Sequence, residues 1–165
     1  MKICALDLEM NQKYPLAIGL ALGSKAGKLL CIDQEGKTPD WYTRKYIVTD
    51  KKLWEGTTKC KDALEDLLEL TKDYDVIYTW GKELRLLFKL GVAAYGCNNF
   101  PNEFIHMCNK LTNVQPLVEN PAKLQVTYAR YFEDADTIDW HNPLGDAIAT
   151  LKIAILVKQS EKGID

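Results

Sequence analysis

Ile3-Cys4-Ala5-Leu6-Asp7-Leu8-Glu9 is an apolar run with two acids at alternate positions near its end. The pattern predicts a β-strand over Lys2–Asp7. Side chains alternate across a strand, so Asp7 and Glu9 project from one face, about 6–7 Å apart along the chain, and Leu6 and Leu8 from the other. A strand this apolar is expected inside a sheet. Two carboxylates held there repel each other and lose hydration, which raises their pKa values or demands a cation. Oxygen-only ligands suit Mg²⁺ or Mn²⁺.

Working outward, Leu16–Leu22 is a second apolar run, Gly23–Gly27 a turn and Lys28–Ile32 a third strand. The three together predict an antiparallel meander. Gly36–Asp40 reads as loop and Arg44–Val48 as a short edge strand. Ala63, Leu64, Leu67 and Leu68 recur at helical spacing, which predicts an amphipathic helix over Lys59–Leu70. Asp75–Thr79 reads as a strand ending in Trp80-Gly81, and Lys82–Leu90 as a helix stopped at Gly91. Glu103–Leu111 and Ala122–Phe132 are further helices. The last helix opens at Pro143 and runs over Leu144–Val157, with Leu144, Ile148, Leu151 and Ile155 on one face. Strands first, then alternating helix and strand, predict an α/β domain with a mixed sheet.

The 165 residues suit one domain over 1–165. A net charge of −2 gives no global field that would draw the chain to nucleic acid or membrane, so a polyanionic substrate would have to be met by a metal site and local lysines and arginines. Cys4, Cys31, Cys60, Cys97 and Cys108 are scattered without a CxxC pair, as expected of reduced thiols in a cytoplasmic protein. Neither a signal peptide nor a membrane span is expected. Ser-His-Asp nucleophilic catalysis has no support, because no Gly-x-Ser-x-Gly occurs, and there is no GxxxxGK[ST] phosphate loop.

Four places carry candidate chemistry: Asp7 with Glu9, Glu83 just after the Trp80-Gly81 turn, His141 in the loop Asp139-Trp140-His141-Asn142, and Asp146 in the first turns of the last helix. Asn142 can cap that helix, with Pro143 at its first position and Asp146 three residues on. An acid at a helix start is favoured by the helix dipole alone. A loop histidine beside a carboxylate–metal cluster is placed to act as a general base.

Asp7-Leu8-Glu9 near the start, a central strand ending in Trp80-Gly81, and His141-Asn142-Pro143-Leu144-Gly145-Asp146-Ala147 near the end resemble the DEDDh (DnaQ-like) 3′–5′ exonucleases in order and interval. The resemblance runs from Met1 to about Lys158. It implies a ribonuclease-H-like fold, a five-stranded mixed sheet flanked by helices on both faces. It also implies a two-metal mechanism. Asp7 would bridge two Mg²⁺ or Mn²⁺ ions about 3.5–4 Å apart. Glu9 and Asp146 would complete the protein ligands of the first ion, and His141 would take a proton from the attacking water. The expected substrates are the 3′ ends of single-stranded DNA or RNA, released as nucleoside 5′-monophosphates. A homodimer is compatible with this picture.

The sequence departs from that family in its second motif. The family pattern Trp-Gly-x-x-Asp places Leu84 where an Asp is usual, and the nearest acid is Glu83, one position earlier. One residue turns a helical side chain by about 100°. A catalytically degenerate nucleic-acid-binding protein on the same fold is therefore an alternative, as is a nuclease for short oligonucleotides or dinucleotides. Met10 stands where many relatives carry Thr or Ser. Met10, Asn11 and Trp80 are the candidates to border a terminal nucleotide.

Overall fold

The structure, a computed structural model, describes residues 1–23 and 26–164, with side chains as far as Glu161. Five strands form one mixed sheet: β1 (Ile3–Asn11), β2 (Tyr14–Ala21), β3 (Gly27–Cys31), β4 (Val76–Thr79) and β5 (Leu111–Asn113), in the order β3-β2-β1-β4-β5. The β1–β2 and β2–β3 pairs are antiparallel, and β1–β4 and β4–β5 are parallel. Among the described residues the α-helices are α1 (Cys60–Thr71), α2 (Glu83–Tyr95), α3 (Asn102–Cys108), α4 (Leu124–Tyr131) and α5 (Pro143–Ile164). The fold is α/β, with helices on both faces of the sheet.

The alternation along β1 assigns those faces. Cys4, Leu6 and Leu8 share a core with Leu64 and Leu67 of α1, Leu87 and Leu90 of α2, and Phe104 and Met107 of α3. Ala5 turns to the other face, where Ala21 and Tyr78 meet Tyr128 of α4 and Ala147, Leu151 and Ala154 of α5. Asp7 and Glu9 lie on this second face. Their cross-strand partners are Gly19 and Ala17, so little side-chain bulk stands beside them.

Several expected boundaries shift. β1 extends four residues beyond Asp7, and the two acids lie inside the strand. The turn expected at Gly23–Gly27 includes Ser24 and Lys25, which lie outside the described residues. Arg44–Val48 is no edge strand: Thr43–Ile47 forms a wide helical turn closed by the Val48 amide donating to the Thr43 carbonyl at 2.8 Å. α2 runs through Gly91 and ends at Gly96, whose φ of +80° suits glycine. Phe104 packs where a Gly91 side chain would be. The helix expected over Glu103–Leu111 stops at Cys108, and Leu111–Asn113 is the fifth strand. On α5, Leu151 is buried but Leu144, Ile148 and Ile155 are only half-buried. The deepest positions include Ala147, Ala149, Ile153 and Ala154, because small residues let this helix lie close on the sheet. Among the described residues, no helix is long and apolar enough to cross a membrane.

Candidate metal centre

Two glycines bring the closing helix onto the opening strand. A Cβ on Gly19, the partner of Asp7, would overlap the Pro143 carbonyl and the Leu144 amide, so the start of α5 rests directly on the β2 backbone. A Cβ on Gly145 would overlap the Asp139 carbonyl, so the 139–142 turn folds tightly against the same helix. The Asn142 side-chain oxygen accepts from the Leu144 amide at 3.0 Å and the Asn142 carbonyl from the Asp146 amide at 3.0 Å. Asn142 thus caps α5, with Pro143 in its first turn. His141 precedes the cap at φ +64°, an uncommon conformation for a non-glycine residue, and its amide donates to Asp146 Oδ1 at 3.3 Å.

This packing gathers the acids. One carboxylate oxygen from each of Asp7, Glu9 and Asp146 lies within 4.8 Å of the other two. Glu83 belongs to the same electrostatic cluster, since its charge raises the pKa of both Asp7 and Glu9. The geometry of the preceding turn accounts for its inward position. Gly81 sits at φ +92°, and its amide donates to Asn113 Oδ1 at 2.9 Å, which ties the turn to β5. The same Asn113 oxygen accepts from the Gln115 amide at 3.0 Å. Glu83 is then the first residue of α2 and only 9% exposed, whereas Leu84 faces out at 40%.

Asp7 Oδ2 and Glu83 Oε2 are buried and have no hydrogen-bond partner among the described residues. Among the described residues, none of the ion pairs includes any of the four acids. Burial, and then the charges of Glu83, Asp146 and Glu9, hold Asp7 well above the usual carboxylate range, against a lesser opposing effect of the Leu8 amide. Burial and the same kind of repulsion push Glu9 up to about 8. Glu83 rises to about 7, chiefly by burial, with the Leu8 amide opposing. Asp146 rises to about 6 by burial, opposed by the His141 amide and ring. Unpaired carboxylates in such a setting are costly. The all-oxygen donor set and the two orphaned oxygens fit a hard divalent cation.

The other candidates are placed differently. His141 is exposed at the edge of the cluster. Asn11 is buried with its side chain engaged: Nδ2 donates to Gln34 Oε1 at 3.0 Å and to the Thr38 carbonyl at 3.3 Å, and Oδ1 accepts from the Asp40 amide at 2.7 Å. Met10 is half-buried, just past a bulge between Glu9 and Met10. Trp80 packs on the α4–α5 core. Asn113 and Gly19, which set the positions of Glu83 and Asp146, were not among the expected residues. A cavity of about 470 Å³ opens beside Glu83, lined by Gly81, Leu84, Arg85, Phe88, Leu111 and Asn113 among others. A similar cavity of about 480 Å³ between α1 and α3, which includes His106, shares no residue with the acids.

With this geometry in place, the comparisons with known proteins add no relative: no family model matches the sequence, and neither a curated protein nor a solved structure matches the chain.

Proposed function

We propose that the chain is a metal-dependent 3′–5′ exonuclease of the DEDDh kind on a ribonuclease-H-like fold, acting on single-stranded DNA or RNA ends. The observation that carries this reading is the convergence of Asp7, Glu9 and Asp146, with the Glu83 charge felt by Asp7 and Glu9 and, among the described residues, no partner for two buried carboxylate oxygens. The ordered motifs from Asp7 to Asp146 support it independently.

Asp7, Glu9 and Asp146 would hold Mg²⁺ or Mn²⁺, which when bound supply charge neutralisation at the phosphodiester and a more acidic water. The chain's own groups do the rest. Asp7 and Glu9, fixed on one rigid strand, orient the ligand oxygens. The Asn142 cap and the His141 amide hold Asp146 toward them. His141, on the exposed rim, accepts through a ring nitrogen the proton of the water that attacks the terminal phosphorus. The P–O3′ bond breaks, the 3′-oxygen stays on the shortened strand, and a nucleoside 5′-monophosphate leaves. Binding without cutting was suggested by the Leu84 departure. Glu83 supplies an acid at the cluster and weakens that alternative.

The test uses 5′-labelled DNA and RNA oligonucleotides with Mg²⁺, Mn²⁺ or EDTA, resolved on a gel. A ladder shortening from the unlabelled end with metal, silent in EDTA and lost in Asp7→Asn and Asp146→Asn, is expected. Turnover in EDTA, or intact oligonucleotides in Mn²⁺, would overturn the reading.

A further inference from the structure

The helical turn at residues 41–47 carries three large aromatic side chains that the fold leaves outside. Trp41, Tyr42 and Tyr46 are 65%, 58% and 55% exposed. They form one continuous surface: the Trp41 and Tyr46 rings meet edge to face at 5.7 Å, and Tyr42 and Tyr46 lie 5.1 Å apart. Lys45 Nζ sits 4.9 Å from the Trp41 ring centre and 5.3 Å from that of Tyr46. Isolated exposed apolar residues are ordinary, but a contiguous aromatic patch of this kind marks a binding surface.

Its position and charge indicate the occupant. Val48 and Leu53 pack on Leu16 and Ala17, and Ala17 is the cross-strand partner of Glu9. At the other end, the Asp40 amide is held by Asn11, two residues beyond Glu9 on β1. The Arg44 amide in turn donates to the Asp40 carbonyl at 2.9 Å. The segment is therefore anchored to β1 two residues beyond Glu9 and, through Val48, to the neighbouring strand β2 opposite Glu9. The turn itself carries Arg44 and Lys45 and no acid, in a chain whose net charge is −2; Asp40 and Asp50 flank it, and Lys51 beyond it pairs with Glu55 at 3.7 Å. Aromatic faces interleaved with cations suit unpaired bases on a phosphate backbone, since every base offers a face to stack on and every phosphate a charge.

We infer that Trp41, Tyr42 and Tyr46, with Lys45 and Arg44, form a stacking platform that grips single-stranded nucleic acid and leads its end to the carboxylates. This rests on the nuclease reading and specifies how that site holds its substrate.

Fluorescence anisotropy of 5-, 10- and 15-nucleotide single strands, DNA and RNA, is measured in EDTA with the wild type, with Trp41→Ala/Tyr46→Ala and with Lys45→Ala. In Mn²⁺, hydrolysis of the 15-mer is compared with that of the p-nitrophenyl ester of thymidine 5′-monophosphate, which is too small to span the platform. The double variant should bind the 15-mer about 10-fold or more weakly, as the loss of stacked bases predicts. Its ratio of 15-mer to ester efficiency should fall similarly. Lys45→Ala should reduce the salt dependence of binding by about one phosphate contact. Duplex of the same length should bind more weakly than single strand to the wild type. Equal affinity of wild type and double variant for the 15-mer would overturn the platform. So would self-association in sedimentation that the double variant abolishes while strand binding persists, because the patch would then be a contact between two copies. If the ester and the 15-mer are both inert with wild type while the binding loss is seen, the platform stands and the catalytic reading falls.

Discussion

The four carboxylates should make the metal-free protein less stable as the pH rises, a trend opposite to ordinary acid denaturation. Burial raises Glu9 from 4.5 to about 8, Glu83 to about 7 and Asp146 to about 6, and the Asp146 charge adds to the shifts of Glu9 and Glu83. A folded state with raised carboxyl pKa values binds more protons than the unfolded chain, so stability is complete below about pH 4 and is lost as the pH climbs toward 8. Each tenfold change in proton affinity is worth about 1.4 kcal/mol, which gives Glu9 alone an upper value of roughly 5 kcal/mol. The acids raise one another, so their values do not add, and partial solvent access reduces the total to roughly 2–5 kcal/mol. For a chain of this size that corresponds to a melting temperature lower by roughly 5–20 °C at pH 8.5 than at pH 5. Asp33, held below the usual range by the Lys59 ammonium, and Asp134, held there by the Tyr128 hydroxyl and then Lys152, titrate beneath this window and do not mask the trend. The assay is thermal unfolding by circular dichroism in EDTA at half-unit pH steps, repeated with Mg²⁺ or Mn²⁺. An ion present at 100 times its dissociation constant should restore about 2.7 kcal/mol, and chiefly at the alkaline end. A melting temperature that is flat or rises between pH 5 and 8.5 in EDTA would refute the reasoning.

Other perturbations separate the parts of the site. Gly19→Ala places a methyl group against the Pro143 and Leu144 backbone and should cost about 3 kcal/mol in urea unfolding, with Mn²⁺ affinity lowered because Asp146 moves away from Asp7. Glu83→Gln should reduce oligonucleotide cleavage about 10- to 100-fold, whereas Leu84→Asp, on the outer side of α2, should give no gain; a large gain in the second variant would mean that Glu83 does not serve the cluster. Asn142→Ala removes the α5 cap and should lower stability by about 1 kcal/mol, read from the urea midpoint.

Much of this architecture was legible because periodicity reports burial directly. Leu6 and Leu8 alternate with Asp7, and Leu64 and Leu67 repeat at helical spacing, so β1 and α1 could be placed without coordinates. The cap at Asn142 and the acid at Asp146 followed from helix-start chemistry. What escaped depends on contacts far apart in sequence. β5 is three residues long and too short to show a period, yet Asn113 within it holds the turn that aims Glu83 inward. Counting along α2 from the motif pointed to Leu84, but the turn at Gly81 sets where the helix begins, and that brings Glu83 into the cluster. Gly19 carries no local signal, because its role is to make room for a helix that starts more than a hundred residues later. Asn11, expected at the terminal nucleotide, has its side chain engaged in holding the 34–40 loop.

The most direct test of the carboxylate cluster as a metal centre is calorimetric titration of Mn²⁺ into the protein at pH 7.5, paired with anomalous scattering from a Mn²⁺-soaked crystal. Binding that disappears in Asp7→Asn, with manganese density between β1 and the start of α5, is the predicted result. No heat of binding and no anomalous peak beside Asp7, Glu9 and Asp146 would contradict it.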